Sequence, residues 1–217
     1  MYGGAVAAGP QCQPLPPGML GYRRYCPYTR RPGGDGAWRA PDLGRARRLV
    51  AASGTAGTRI DVWGTTDVLG VPRGLPAYVA SLLRSLGYRT RLHLAPLSSI
   101  GYAMRSRFQL SVDGDWAPDF PMPSALLPKF FGCRGGYSNG YVCDPALDRK
   151  MRRASLLQLR DPRRAAALWA EIDHDIVDRA YWVPTVNSHG PELVSARLRN
   201  YQYNPIWDFI ADQVWLR

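Results

Sequence analysis

Asp115 and Asp119 stand four residues apart in the stretch Gly114-Asp115-Trp116-Ala117-Pro118-Asp119-Phe120-Pro121-Met122-Pro123, with Trp116 and Phe120 beside them. Carboxylates next to rings suit two kinds of chemistry. One is capture of a cationic group in a dehydrated cleft, where a charge-assisted hydrogen bond is stronger than in open water. The other is acid–base hydrolysis by a carboxylate pair, as glycosidic chemistry uses, although four residues on a loop fix no distance between the two acids. The three prolines and one glycine exclude a regular helix or a central strand. The stretch follows Phe108-Gln109-Leu110-Ser111-Val112, which alternates as a strand. A stiff loop at a strand end is where open α/β folds bind ligands.

The other chemically able residues read more plainly. Asp173-His174-Asp175 falls within a helical pattern, where adjacent residues do not face one another, so a solvated face is expected. Ser188-His189 lacks a nucleophile elbow or an ordered triad pattern. Gly33, Gly34 and Gly36 precede no strand-to-helix phosphate turn. Trp169 at helical spacing reads as core.

With 46% hydrophobic and 21% charged residues in 217, the chain has the composition of a globular protein. The net charge of +11 raises the possibility of a basic nucleic-acid-binding domain. Only Lys129 and Lys150 among the 28 basic residues are lysine, and the arginines are scattered over several predicted elements as solvated faces. With no reader motif beside them, no nucleic-acid partner is expected. No run of about 18 apolar residues is present, and Met1 leads into Tyr2-Gly3-Gly4 without a signal-peptide pattern.

Cys12 and Cys26 flank one Pro/Gly-rich segment, and Cys133 and Cys143 flank another. Both spacings suit local disulfides, each worth about 2–3 kcal/mol by loop-closure entropy. Zinc would need ligand spacing that neither these pairs nor His93, His174 and His189 provide, so no metal and no cofactor is expected. Disulfides belong to an oxidising compartment. With no leader in view, the expectation is a chain lacking its natural N-terminus.

Residues 1–41 are predicted to be extended or irregular, given seven prolines among them. Asp42 reads as an N-cap for a helix with Leu43, Ala46, Leu49 and Val50 on one face. A strand at 58–63, a helix carrying Tyr78 to Leu86, a strand at 88–94, a short helix near 98–105 and a strand at 107–112 follow. This alternation predicts βαβ units and a largely parallel sheet. A helix over 124–131 is expected to be interrupted at Pro128. Asp144-Pro145 and Asp161-Pro162 each pair an N-cap with Pro at the first helical position, opening two long helices. Residues 181–188, 191–196 and 212–217 read as short strands or extended returns.

Taken in order, several of these segments resemble the C-terminal portion of family 5 extracytoplasmic solute-binding proteins, the peptide/nickel-type components of ABC importers. They are Leu15-Pro16-Pro17, Cys26-Pro27-Tyr28, Asp42 with Ala46, Leu49 and Val50, Asp115 to Pro121, Cys143-Asp144-Pro145, Asp161-Pro162 with Leu168-Trp169, Val183-Pro184, and Asp212-Gln213-Val214-Trp215. The resemblance implies an α/β fold of the type II periplasmic-binding-protein kind. Residues 36–180 would form the second lobe, 1–35 a hinge or first-lobe segment, and 181–217 the return to a first lobe.

It also implies a non-enzymatic protein located outside the cytoplasm, whose partners are a peptide or small polar solute and ABC permease subunits. Contact with the membrane would come only through that permease or an N-terminal anchor. By motif, Asp119 would pair with a ligand's α-ammonium, with Trp116 and Phe120 beside it. Met122 departs from the family pattern, where an acid or amide often follows Pro121.

Overall fold

The structure is a computed structural model, and it describes residues 6–66, 74–96, 109–112, 118–134, 142–190, 192–204 and 208–217. The chain divides into two compact units, one made of 1–4 and 26–116, the other of 5–25 and 117–217.

The first unit is a small parallel sheet with helices. Asp42 caps helix α1 (Leu43–Ala52) by accepting from the Arg45 N–H at 2.9 Å, which satisfies one of the otherwise unpaired first-turn donors. Val50 faces inward, whereas Leu49, predicted on the same face, is exposed. Strand β2 (Arg59–Thr65) lies between β3 (Arg89–Ala95) and β4 (Leu110–Val112), with both pairings parallel. Val62 pairs with Leu92 on one side and Leu110 on the other.

Helix α2 (Leu75–Ser85) leads into β3 and packs Leu75 and Ala80 against Val62 and Val112, with Ile60, Val79, Leu83, Leu92 and Leu110 around them. The predicted βαβ alternation and parallel sheet are therefore found. The helix expected near 98–105 lies outside the described residues.

Gly64 is the tightest point of this packing. A Cβ placed there would stand 2.3 Å from Cγ and 2.5 Å from Cβ of Pro76, and a proline ring is tied to its own backbone and cannot swing aside. Gly64→Ala is expected to destabilise this unit by about 1–3 kcal/mol, as overpacking does. The readout is the urea midpoint, and an unchanged midpoint would mean that α2 can slide to make room.

In the second unit, Ala8–Pro10 (β1) pairs antiparallel with Val186–Ser188 (β5), so part of the segment predicted to be extended or irregular is a short strand. A 3-10 turn, Pro123–Ala125, precedes helix α3 (Leu127–Phe131). Pro128 does not interrupt this helix. It sits in the first turn, where a missing N–H leaves no bond unmade.

Helices α4 (Pro145–Gln158) and α5 (Pro162–Asp178) begin as predicted. Asp144 accepts from Ala146 N and Leu147 N, and Asp161 from Arg164 N. Their apolar faces bury Leu147, Met151, Ala154, Ala165, Trp169, Ile172 and Ile176. Trp169 is core, as its spacing implied, and its indole N–H donates to Gln158 Oε1 at 3.1 Å.

The C-terminal stretch is built from two-residue ladders, Leu198–Arg199 with Trp215–Leu216 and Tyr203–Asn204 with Asp208–Phe209. Of the two alternatives expected for 191–196, a short strand or an extended return, residues 192–195 show no strand. Residues Ala211–Gln213 form a 3-10 turn. No helix among the described residues is long and apolar enough to cross a membrane.

Candidate ligand-binding loop

The Pro-rich loop 114–123 is described from Pro118 onward; Gly114, Asp115, Trp116 and Ala117 lie outside the described residues. Its turn is closed by the Met122 N–H donating to Phe120 O at 2.7 Å, and the Ala125 N–H donates to Met122 O at 3.0 Å. Behind it Pro123, Ala125, Leu126, Leu127 and Phe131 are buried, which anchors the loop to the unit's core. In front, the Asp119 side chain is 60% exposed, and Phe120 and Met122 are also open to solvent. Asp119 is thus presented to solvent from a turn backed by buried residues.

Asp119 Oδ2 is joined by the ammonium of Lys129, which projects from α3. In the sequence Lys129 stands out only as one of two lysines. Its ten-residue distance from Asp119 and its place on a separate short helix gave no local signal of a pair. Phe130 and Phe131, next on the same helix, pack against Trp182 with ring centroids 4.7 and 5.4 Å away, the first pair tilted and the second edge-to-face.

Cys133 and Cys143 form a disulfide with Cα atoms 4.4 Å apart. Cys133 N–H also donates to Asp148 Oδ1 at 3.2 Å, which ties the end of α3 to α4. Cys12 and Cys26 are likewise disulfide-bonded, and no cysteine is free.

Two further clusters were not anticipated. On neighbouring strands His93 Nε2 lies 2.9 Å from Asp61 Oδ1, and its ring stacks on Trp63 at 4.3 Å. The hydrogen bond from His93, with help from Arg59, holds the Asp61 carboxyl below the usual carboxylate range. Parallel pairing signals do not reveal such side-chain contacts in advance, because they depend on register.

The second cluster overturns a prediction. Asp173, expected on a solvated helix face, is fully buried. Leu15 N–H donates to its Oδ1 at 3.0 Å and Gln13 Nε2 to its Oδ2 at 2.5 Å. Gln13 in turn accepts from Tyr25 N–H and donates to Arg23 O, so residues 13–25 are strapped over this point of α5. Desolvation pushes the Asp173 carboxyl up to about 7, against the pull of the two N–H donors. His174, the next residue, stacks on Tyr25 at 3.9 Å, and Asp175 pairs with Lys150. Among the described residues no group of three or more His, Cys, Asp or Glu could hold a metal ion.

The α/β fold of this chain, a parallel β–α–β sheet followed by long helices, matches periplasmic-binding-protein-like structures over part of their length. The chain matches no protein-family model and no curated protein. Among solved structures it superposes on HbpA2 from Haemophilus parasuis with a TM-score of 0.74 at 18% identity, covering 100% of this chain and 41% of that one.

It is also similar to the ABC transporter-associated periplasmic binding protein DppA from Helicobacter pylori, in complex with the peptide STSA (TM-score 0.68, 16% identity, 96% of this chain and 39% of that one). A third is the dipeptide binding protein from Pseudoalteromonas sp. SM9913 in complex with Met-Leu (TM-score 0.69, 16% identity, 98% and 42%). At these identities the likeness is one of fold, and the fold expected from the ordered segments is the one found. The chain spans about two-fifths of the length of these structures.

Proposed function

We propose that this chain is part of a substrate-binding component of an ABC importer, one that captures peptides or similar small polar solutes outside the cytoplasm and passes them to a permease. The observation that carries the reading is the superposition of essentially the whole chain on such proteins, two of them solved with bound peptides. Disulfides throughout fit an oxidising location. The stretch from Tyr181 onward exposes Val183, Leu193, Trp215 and Leu216, apolar surface of the sort that a further lobe would cover.

In this reading Asp119 receives the α-ammonium of a peptide, with Trp116 and Phe120 beside it. Lys129 then stands in for the ligand: its ammonium holds the carboxylate in place, and an incoming amine replaces one cation by another. Exchange of this kind keeps Asp119 aimed while the site is empty, at the cost of affinity.

The test is a backbone-amide NMR titration of the 217-residue chain with tri-alanine and with N-acetyl-tri-alanine. The free peptide is expected to shift the amides of Asp119 and Phe120 saturably. Acetylation or Asp119→Asn should weaken this at least about tenfold, since a hydrogen bond to a charged group contributes about 1.5–3 kcal/mol. Lys129→Met should strengthen it. Equal shifts with both peptides would remove Asp119 from this role, and no shift with either at the solubility limit would remove peptide capture by this chain.

A further inference from the structure

The hairpin around residues 29–41 is more ordered than its Pro/Gly composition suggests. Thr29, fully buried, accepts from Arg39 N–H at 2.8 Å and Ala40 N–H at 3.1 Å and donates to Ala40 O, while Arg30 N–H donates to Ala40 O at 2.7 Å. At the tip Gly36 N–H donates to Gly33 O. Asp35 accepts from Ala37 N–H and from Arg39 Nη2, which reaches both carboxylate oxygens at 3.0 and 3.1 Å. This pair lies directly over Gly33, where a Cβ would come within 2.7 Å of Arg39 Nη2. Ala37 N–H and Arg39 keep the Asp35 carboxyl below its ordinary range, so it stays ionised and Arg39 stays pinned.

Arg30, Arg31 and Arg39 line one open cavity of about 550 Å³. Among the described residues Arg30 and Arg31 make no ion pair, and Asp35 is the only acid bonded to the three. Three guanidinium groups against one carboxylate leave a local excess of two positive charges. Arg31 is held with φ at 52°, a left-handed conformation that a residue other than glycine adopts uncommonly and at some cost in strain. Guanidinium groups are planar forks suited to paired N–H···O bonds with phosphate oxygens, and one of them is already oriented by a fixed partner.

We propose that this cavity binds a phosphate dianion, free or as the monoester of a small molecule, through Arg30 and Arg31 with Arg39 as the pre-oriented third group. The site is independent of the peptide-capture reading and fails or stands without it. The test is calorimetric titration of the full chain with inorganic phosphate and, separately, glycerol phosphate at constant ionic strength. The variants are Arg30→Gln/Arg31→Gln and, as a charge-matched control, Arg149→Gln/Arg153→Gln on α4.

One-to-one saturable binding is expected, weakened about tenfold or more in the first double variant and unchanged in the control. Tighter binding of the monoester assigns the site to a phosphorylated solute, and tighter binding of the inorganic ion to free phosphate. Should the first variant fail to fold, mass spectrometry of the wild-type chain after treatment with a dicarbonyl arginine reagent replaces it, with phosphate expected to protect Arg30 and Arg31. Absence of saturable binding, equal loss in the control, or no protection overturns the proposal. Retention on a DNA duplex that needs Arg30 and Arg31, with no binding of either small anion, also overturns it, in favour of nucleic acid.

Discussion

Trp169→Ala is expected to destabilise the unit formed by 5–25 and 117–217 by about 3–5 kcal/mol, the range for removing a buried large aromatic. Trp169 is wholly buried where α4 and α5 pack, among Met151, Ala154 and Ile172 on the same apolar faces. The loss has two parts. Most is the cavity left when an indole's volume is removed from a close-packed interior. The remainder comes from Gln158, whose Oε1 loses the indole N–H while its Nε2 still donates to Ser124 Oγ.

Trp169→Phe separates the two parts, because it retains most of the volume and leaves Gln158 Oε1 unpaired, at a cost of about 1–3 kcal/mol. Equilibrium unfolding in urea measures both. A Phe variant as unstable as the Ala variant would mean that the hydrogen bond, not the packing, carries the effect. An Ala variant within 1 kcal/mol of wild type would show that the helices close over the gap.

Stability is expected to fall as pH rises from about 4 to about 7, and Asp173 is the reason. In the unfolded chain its carboxyl has the ordinary value of 3.8, and in the folded chain burial raises it to about 7. Below pH 4 both states hold the proton and the group has no effect. Between 4 and 7 the unfolded chain releases a proton that the folded chain keeps, so unfolding is favoured with each step upward. Above 7 both states are ionised and the loss is complete. A shift of about three units corresponds to at most about 4 kcal/mol.

Asp35 and Asp61 act with the opposite sign, because their folded values are lowered. Their contribution is present above the ordinary value and is lost only as pH falls below it, outside the Asp173 window. Near Asp173 the other titratable groups are His174, Asp175 with Lys150, and Asp178 with the Tyr25 hydroxyl, all shared with a variant. Asp173→Asn therefore isolates the effect. The pH slope between 4 and 7 should flatten. At acid pH the variant should be about 1–3 kcal/mol weaker, because an amide nitrogen facing Gln13 Nε2 has no lone pair to offer. A neutral carboxyl keeps an acceptor on each oxygen and avoids this. Urea midpoints at pH 4.5, 6 and 8 decide the matter, and parallel slopes for wild type and variant would refute the role of Asp173.

What could be read ahead of the structure was whatever lay within a few residues. The caps at Asp42, Asp144 and Asp161 are satisfied by amides two or three positions on, so a dipeptide such as Asp-Pro announces its helix locally. The parallel sheet followed from alternation of helix and strand patterns. Pro128 was misjudged because the same residue breaks a helix interior yet suits a first turn, and the true start at Leu127 has no polar cap to mark it. Leu49 was assigned to the wrong face because spacing defines a stripe and not its width. Trp215–Leu216 falls within the predicted stretch 212–217, but the strands at 198–199, 203–204 and 208–209 escaped because two-residue strands have too few positions for alternation to show.

By itself the sequence determined that Pro118–Pro123 would be neither regular helix nor central strand, the positions of the main helices and strands, and an order of segments sufficient to indicate the fold. Only the tertiary structure decided what the charged residues of this unit do. Asp173 and Gln13 are separated by 160 positions, and whether a helix position faces water depends on the distant strand of chain laid over it. Asp119 stands on an exposed loop, but its partner Lys129 comes from a neighbouring element, and such pairing is a matter of where two elements come to rest in space. Backbone conformation is decided by near neighbours along the chain; burial and electrostatic partnership are decided by whatever folding brings alongside.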